Sequence, residues 1–149
     1  MILICEIVDA VQREIRSAYP DAAQYIDQAP ETPQMPGFVT QYIAMVTKDA
    51  NRWHVNLTRY FTITCLAQPG QDGQPNATEL LQMQENVINR FGCGYLKVGD
   101  RALRAVASAG GREADKAFVD LQLEYLDDRG IDEEQREPMG EVSAIIKEE

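Results

Sequence analysis

One histidine, one tryptophan and three cysteines are all that this 149-residue chain contains of those residue types, and each scarcity closes off some chemistry. Cys5, Cys65 and Cys93 are odd in number and far apart, with no CxxC pair. Neither a secreted disulfide framework nor a cysteine-based zinc site fits that spacing. They read instead as reduced, mostly buried thiols of a cytosolic product. Basic residues are few: 14 Lys and Arg stand against 24 Asp and Glu, a net charge of −10. Phosphate contacts need clustered cations, so a broad nucleic-acid face is disfavoured. No apolar run approaches the ~18 residues of a membrane span. The start, MILICEIVDAVQREI, lacks a basic n-region and a small-residue cleavage site, and Glu6 and Asp9 interrupt it; it does not read as a signal peptide. GQDG and FGCG match neither a phosphate-binding loop nor a dinucleotide fingerprint, and acidic IDEEQRE lacks EF-hand spacing.

What is present describes one globular domain. Hydrophobic residues make up 44% and charged residues 26%, ordinary values for a chain long enough to bury a core without staples. The negative charge is concentrated beyond residue 111, and the body before it is near neutral. The pattern divides into a domain over residues 1–130 and an acidic C-terminal arm over 131–149.

Ile4, Ile7, Val8, Val11, Ile15 and Ala18 fall at helical spacing up to Pro20, which ends the helix. AAQYIDQA alternates over a short run and reads as a strand; PETPQMPG, broken by prolines, reads as an extended surface connection. FVTQYIAMVT alternates with apolar residues on both faces, which implies a strand that is central or covered on both sides. After the polar turn at Lys48-Asp49-Ala50-Asn51, RWHVNLTRYFTITCL places Val55, Leu57, Phe61, Ile63 and Cys65 on one face. These two runs form a β-hairpin. Arg59 intrudes on the apolar side, buried there or paired with a carboxylate.

NATELLQMQENVINRF reads as a helix capped by Asn76 or Thr78, with Leu80, Gln84, Val87, Ile88 and Phe91 on one stripe. Gly92 and Gly94 stop it. Weaker strands at 95–98 and 103–108 precede a firm one in KAFVDLQLEYL, where Ala117, Val119, Leu121, Leu123 and Tyr125 share a face. The order α, β-β-β, α, β-β-β implies an α+β fold: a mixed, mostly antiparallel sheet with two main helices packed on one face. Beyond it, only Val142, Ala144, Ile145 and Ile146 offer burial, and a helix, an added strand or disorder all remain open there.

His54, the one candidate base, lies on the polar side of its strand with Asn56, Thr58 and Tyr60, while Cys65 falls on the opposite face. General-base chemistry needs an orienting carboxylate and a nucleophile within reach, and the sequence suggests neither. His54 therefore reads as a surface or interface residue. Trp53 at the hairpin end is either a core-edge plug or an interface anchor. Arg101, Arg104, Arg112 and Lys116 make the one local basic cluster, either a solvated face or a match for an acidic partner. No catalytic residue, cofactor or metal site is expected.

One pattern reaches further. It comprises an amphipathic helix ending at Tyr19-Pro20, YID at 25–27, and a proline-broken loop entering a strand at Pro36-Gly37-Phe38-Val39. RYFTITCL, LLQMQENVINRF and AFVDLQLEY then follow in order. This run, about residues 7–127, resembles the small tail terminator proteins of PBSX-like prophages and related contractile particles, including headless phage-tail bacteriocins. Gly37 stands where that family often has Cys or a larger residue, and Thr64 replaces a commoner hydrophobic or aromatic one.

The resemblance implies a structural protein rather than an enzyme. It implies a homo-hexameric ring that caps the tail tube, halts tube and sheath polymerisation and presents a surface to the neck or head. The partners implied are other copies of the chain, the tail tube protein, the sheath protein where the tail contracts, and a neck or head-completion protein. DNA would pass through the ring without specific recognition, and no membrane is involved. The implied location is the head-proximal tail end of a virion or phage-tail-like particle made in the bacterial cytoplasm. Candidate interface residues are Lys48, Asp49, Arg52 and Trp53 at the hairpin tip, Arg101 and Arg104 from the basic cluster, and Val142, Ile145 and Ile146 in the arm. A head–tail joining or tail-completion neck protein is the nearest alternative. A small ligand-binding domain or enzyme with a pocket around His54, or a transient regulatory module, is the alternative of another class.

Overall fold

A computed structural model describes residues 2–128; the arm at 131–149, with Val142, Ile145 and Ile146, lies outside the described residues. The elements follow the expected order: α1 (Ile4–Ala18), β1 (Ala23–Ile26), β2 (Gly37–Asp49), β3 (His54–Leu66), α2 (Ala77–Arg90), β4 (Tyr95–Val98), β5 (Arg101–Arg112) and β6 (Lys116–Asp128). The strands make one six-stranded sheet ordered β1-β2-β3-β6-β5-β4, antiparallel throughout except for the parallel β1–β2 pair. The α+β expectation holds, with both helices on one face.

Alternation decides that face. Val55, Leu57, Phe61, Ile63 and Cys65 of β3 lie beside Ala117, Val119, Leu121, Leu123 and Tyr125 of β6 in a single buried cluster. The two strands pair over their whole length, from His54↔Asp128 to Leu66↔Lys116. From α1 the cluster takes Ile7, Ala10, Val11 and Ile15; Ile4, at the start of the periodic run, is exposed. From α2 it takes Leu80, Met83, Val87 and Phe91. Gln84 is buried on the same stripe because its side-chain amide donates to the carbonyls of Gly111 and Phe118, which offsets the cost of burying an amide. Asn76 is the N-cap: its side-chain oxygen accepts from the Glu79 N–H at 3.1 Å, and its amide reaches back to the Glu79 carboxylate.

Three expectations are corrected. Only the first four residues of β2, Gly37 to Thr40, are buried and flanked by β1; residues 41–49 are exposed. The four residues of β1 are too few to cover a 13-residue neighbour. Arg59 is half-buried but not carboxylate-paired in the way its position suggested: its Nε donates to the Tyr125 hydroxyl and an Nη to the Tyr42 hydroxyl, at 2.7 and 3.0 Å. Of the thiols only Cys65 is buried; Cys5 and Cys93 are exposed.

The connection between β1 and β2 folds back over the sheet, held by the Gln34 N–H on the Tyr25 hydroxyl and by the Gln68 amide on the Met35 carbonyl. At its end Gly37 admits no side chain, since a Cβ there would stand 2.6 Å from the Gln34 carbonyl oxygen.

Candidate protein-interaction surface

The hairpin tip is built by Asn51. Its side-chain oxygen accepts from the N–H groups of Trp53 and His54 at 2.8 and 2.9 Å, while Ala50 and Asn51 donate backbone bonds to the His54 carbonyl. This Asx-type turn leaves Trp53 48% exposed, with the Arg52 guanidinium 5.0 Å above its ring. Trp53 therefore reads as a surface aromatic and not a core plug.

Beside the tip lies the end of β6. His54 Nε2 stands 3.7 Å from an Asp128 carboxylate oxygen. Arg101, opening β5, packs over the Tyr125 ring, donates to the Leu126 carbonyl and stands 3.7 Å from the Asp127 carboxylate. Asp127 is buried and accepts from the N–H groups of Asp128 and Ile2. Burial opposes its charge, but the two N–H donors and the Arg101 guanidinium outweigh that and hold its pKa below the usual carboxylate value.

Lys48, Asp49, Arg52, Trp53 and Arg101 thus gather at one end of the sheet. Arg104 does not join them; it sits on the helix-free face beside Glu124 at 3.6 Å. The expected basic cluster comes apart for a plain reason. An extended strand advances about 3.3 Å per residue, so Arg112 and Lys116 lie at the far end from Arg101. His54 has a carboxylate neighbour that the sequence did not suggest. Cys65, in contrast, is on the core face eleven residues along, its thiol pushed up to about 12 by burial and so inert as a nucleophile at neutral pH. Among the described residues no group of three or more His, Cys, Asp or Glu side chains is placed to hold a metal ion. No described helix is long and apolar enough to cross a membrane.

The surface that sequence reasoning missed is the helix-free face and its margin. Ile43 and Val46 of β2, Val106 of β5 and Leu126 of β6 are about half exposed, as is Met45. A groove of about 520 Å³ crosses this face, lined by Ile43, Tyr60, Thr62, Val106, Asp120 and Gln122 among others. Beyond Ile26, β1 ends, and among the described residues nothing pairs with the outer edge of residues 41–48. A second cleft of about 570 Å³ lies under the β1–β2 connection, between Asp27, Glu31 and Met35 on one side and Val39, Lys116 and Phe118 on the other. The signal for the open margin was in the sequence: AQYI is shorter than the strand it flanks.

No family model matches the chain, and no curated protein matches it. Among the solved structures that match, one is similar over 89% of this chain and 100% of its own, at 15% identity and a TM-score of 0.48.

Proposed function

We propose that this chain is a structural subunit of a phage tail or phage-tail-like particle, a terminator that assembles as a ring on the head-proximal end of the tail tube. The observation that carries the reading is the eight-residue stretch 41–48, which among the described residues pairs on one side only, with β3, and bears exposed Ile43, Met45 and Val46. Proteins blunt such edges with prolines, charges, bulges or cover; this one has a bulge at Tyr42/Ala44 and Lys48 near the tip, and residues 44–47 between them carry none of these devices. An edge of this kind takes up another chain. The residues that carry the resemblance form the centre of the fold: the Tyr19 ring, closing α1, packs on Phe38 at 5.2 Å, and RYFTITCL and AFVDLQLEY are the paired central strands.

A terminator must match the last tube ring on one side and offer no acceptor for a further tube ring on the other. A heterologous contact whose rotation closes satisfies both demands, because the repeated interface is consumed within the ring. The tip with Arg52 and exposed Trp53 is the part we assign to the tube or its neighbours. The test is tube growth: purified tail tube protein is polymerised with and without this chain. Arrested elongation, with the chain retained on the tubes, supports the reading; unchanged lengths with no retained chain would overturn it.

A further inference from the structure

We infer that copies of this chain join by strand pairing, the free margin of β2 at residues 41–48 of one copy lying antiparallel to the free margin of β5 at residues 106–110 of the next. The inference rests on the ring reading above and names the contact that makes the ring.

Both margins are open among the described residues. β5 is flanked by β4 only at residues 101–104, and its next outward group, the Ala105 N–H, is taken by the Gly94 carbonyl. Past that point, among the described residues, β5 pairs on one side only, with β6. Val106, Ser108, Ala109 and Gly110 are exposed. One sheet thus carries two open runs, at opposite margins, each next to a four-residue strand that covers the rest.

Topology fixes the direction. β2, β3, β6 and β5 are neighbours in that order, each antiparallel to the last, so β2 and β5 run oppositely within one copy. Copies related by rotation about an axis along the strands keep their directions, and β5 of one then meets β2 of the next antiparallel, continuing the alternation. Side-chain size fits as well: Tyr42, Ile43, Met45 and Val46 on one margin face Val106, Ala107, Ser108 and Ala109 on the other. Val46, opposite Thr58, and Val106, opposite Gln122, both project from the helix-free face. Joining the margins brings these half-exposed side chains together as cross-strand neighbours.

The two free runs are not level. Through the register, Met45 aligns with Arg59, Leu123 and Ala105 across the sheet, so the centre of the β5 run sits a few residues further along. Neighbouring copies must therefore be displaced along the strands, the stagger that a closed, tilted sheet requires. A two-fold β2-to-β2 contact would pair bulky side chains with one another and leave the β5 margin open.

The test is cysteine cross-linking in full-length protein with Cys5→Ser and Cys93→Ser, assembled on tail tubes. Val46→Cys combined with Val106→Cys or with Ser108→Cys is expected to give, on mild oxidation, a covalent ladder from dimer to closed ring. Each single substitution is expected to give none. A covalent dimer from Val46→Cys alone would mean a two-fold contact and would overturn the inference, as would rings that form normally and yield no ladder from either pair; in both cases the ring reading survives. Met45→Lys, on an exposed side chain, is expected to abolish rings while leaving the thermal midpoint unchanged; rings that persist count against the inference. A chain that forms no assembly in any form sinks the inference and the ring reading together.

Discussion

Arg59, on the apolar side of β3, donates its Nε–H to the Tyr125 hydroxyl of β6 at 2.7 Å. Tyr42 supplies a second acceptor from β2 at 3.0 Å, and both rings lie within 6.0 Å of the guanidinium. Three strands are tied through one cation. Burial disfavours its charge, but the two hydroxyls outweigh that and raise its pKa above an already high value, so Arg59 stays charged across the working pH range. Tyr125→Phe removes the acceptor of a part-buried charged donor and should cost about 1–3 kcal/mol. Tyr42→Phe, at a more exposed ring, should cost less. Urea denaturation of both variants checks the order.

Asp127 sets an acid limit. Its pKa is lowered in the folded chain, so its contribution is fully present above the unfolded value of about 3.9 and is lost as pH falls through the folded value. Stability should decline below about pH 4. Asp127→Asn should lower stability at pH 7 and flatten that decline. Denaturation midpoints measured from pH 6 to pH 3 for both chains decide it.

The helix cap at Asn76 gives a simpler expectation. Asn76→Ala deletes the acceptor for the Glu79 N–H and should destabilise the protein by about 1 kcal/mol. Asn76→Asp should restore most of that, since the carboxylate both caps and favours the helix N-terminus. Thermal unfolding of the pair is the readout.

Thiol reactivity follows burial. Cys5 and Cys93 should react with an aromatic disulfide reagent in the native protein, while Cys65, at the core face with its thiol pushed up to about 12, should react only after unfolding. Counting thiols with and without denaturant tests this. Three reactive thiols in the native state would mean that the β3–β6 centre opens.

The residues differed in how much they disclosed. β3 and β6 were legible because each alternates over 13 residues and pairs with the other from end to end, so the core face is a local property of the sequence. α2 and its cap were legible for the same reason. β2 misled because apolar residues on both faces signal cover, whereas β1 flanks only residues 37–40 and residues 41–49 are exposed. The cluster around Asp127 was invisible: the Ile2 N–H that it accepts is 125 residues away, and no spacing rule connects them. The candidate tip residues were found because a polar turn beside a tryptophan is a local signal; their meeting with Arg101 depends on the β6–β5 pairing.

On the proposed reading, the open sheet margin serves assembly on a tail tube. Electron microscopy of the full-length protein mixed with purified tail tubes tests it most directly. Ring-shaped density at one end of each tube, with the six-fold symmetry that the resemblance implies, is the expected result. Bare tube ends, with the protein left as monomers in the background, would contradict it.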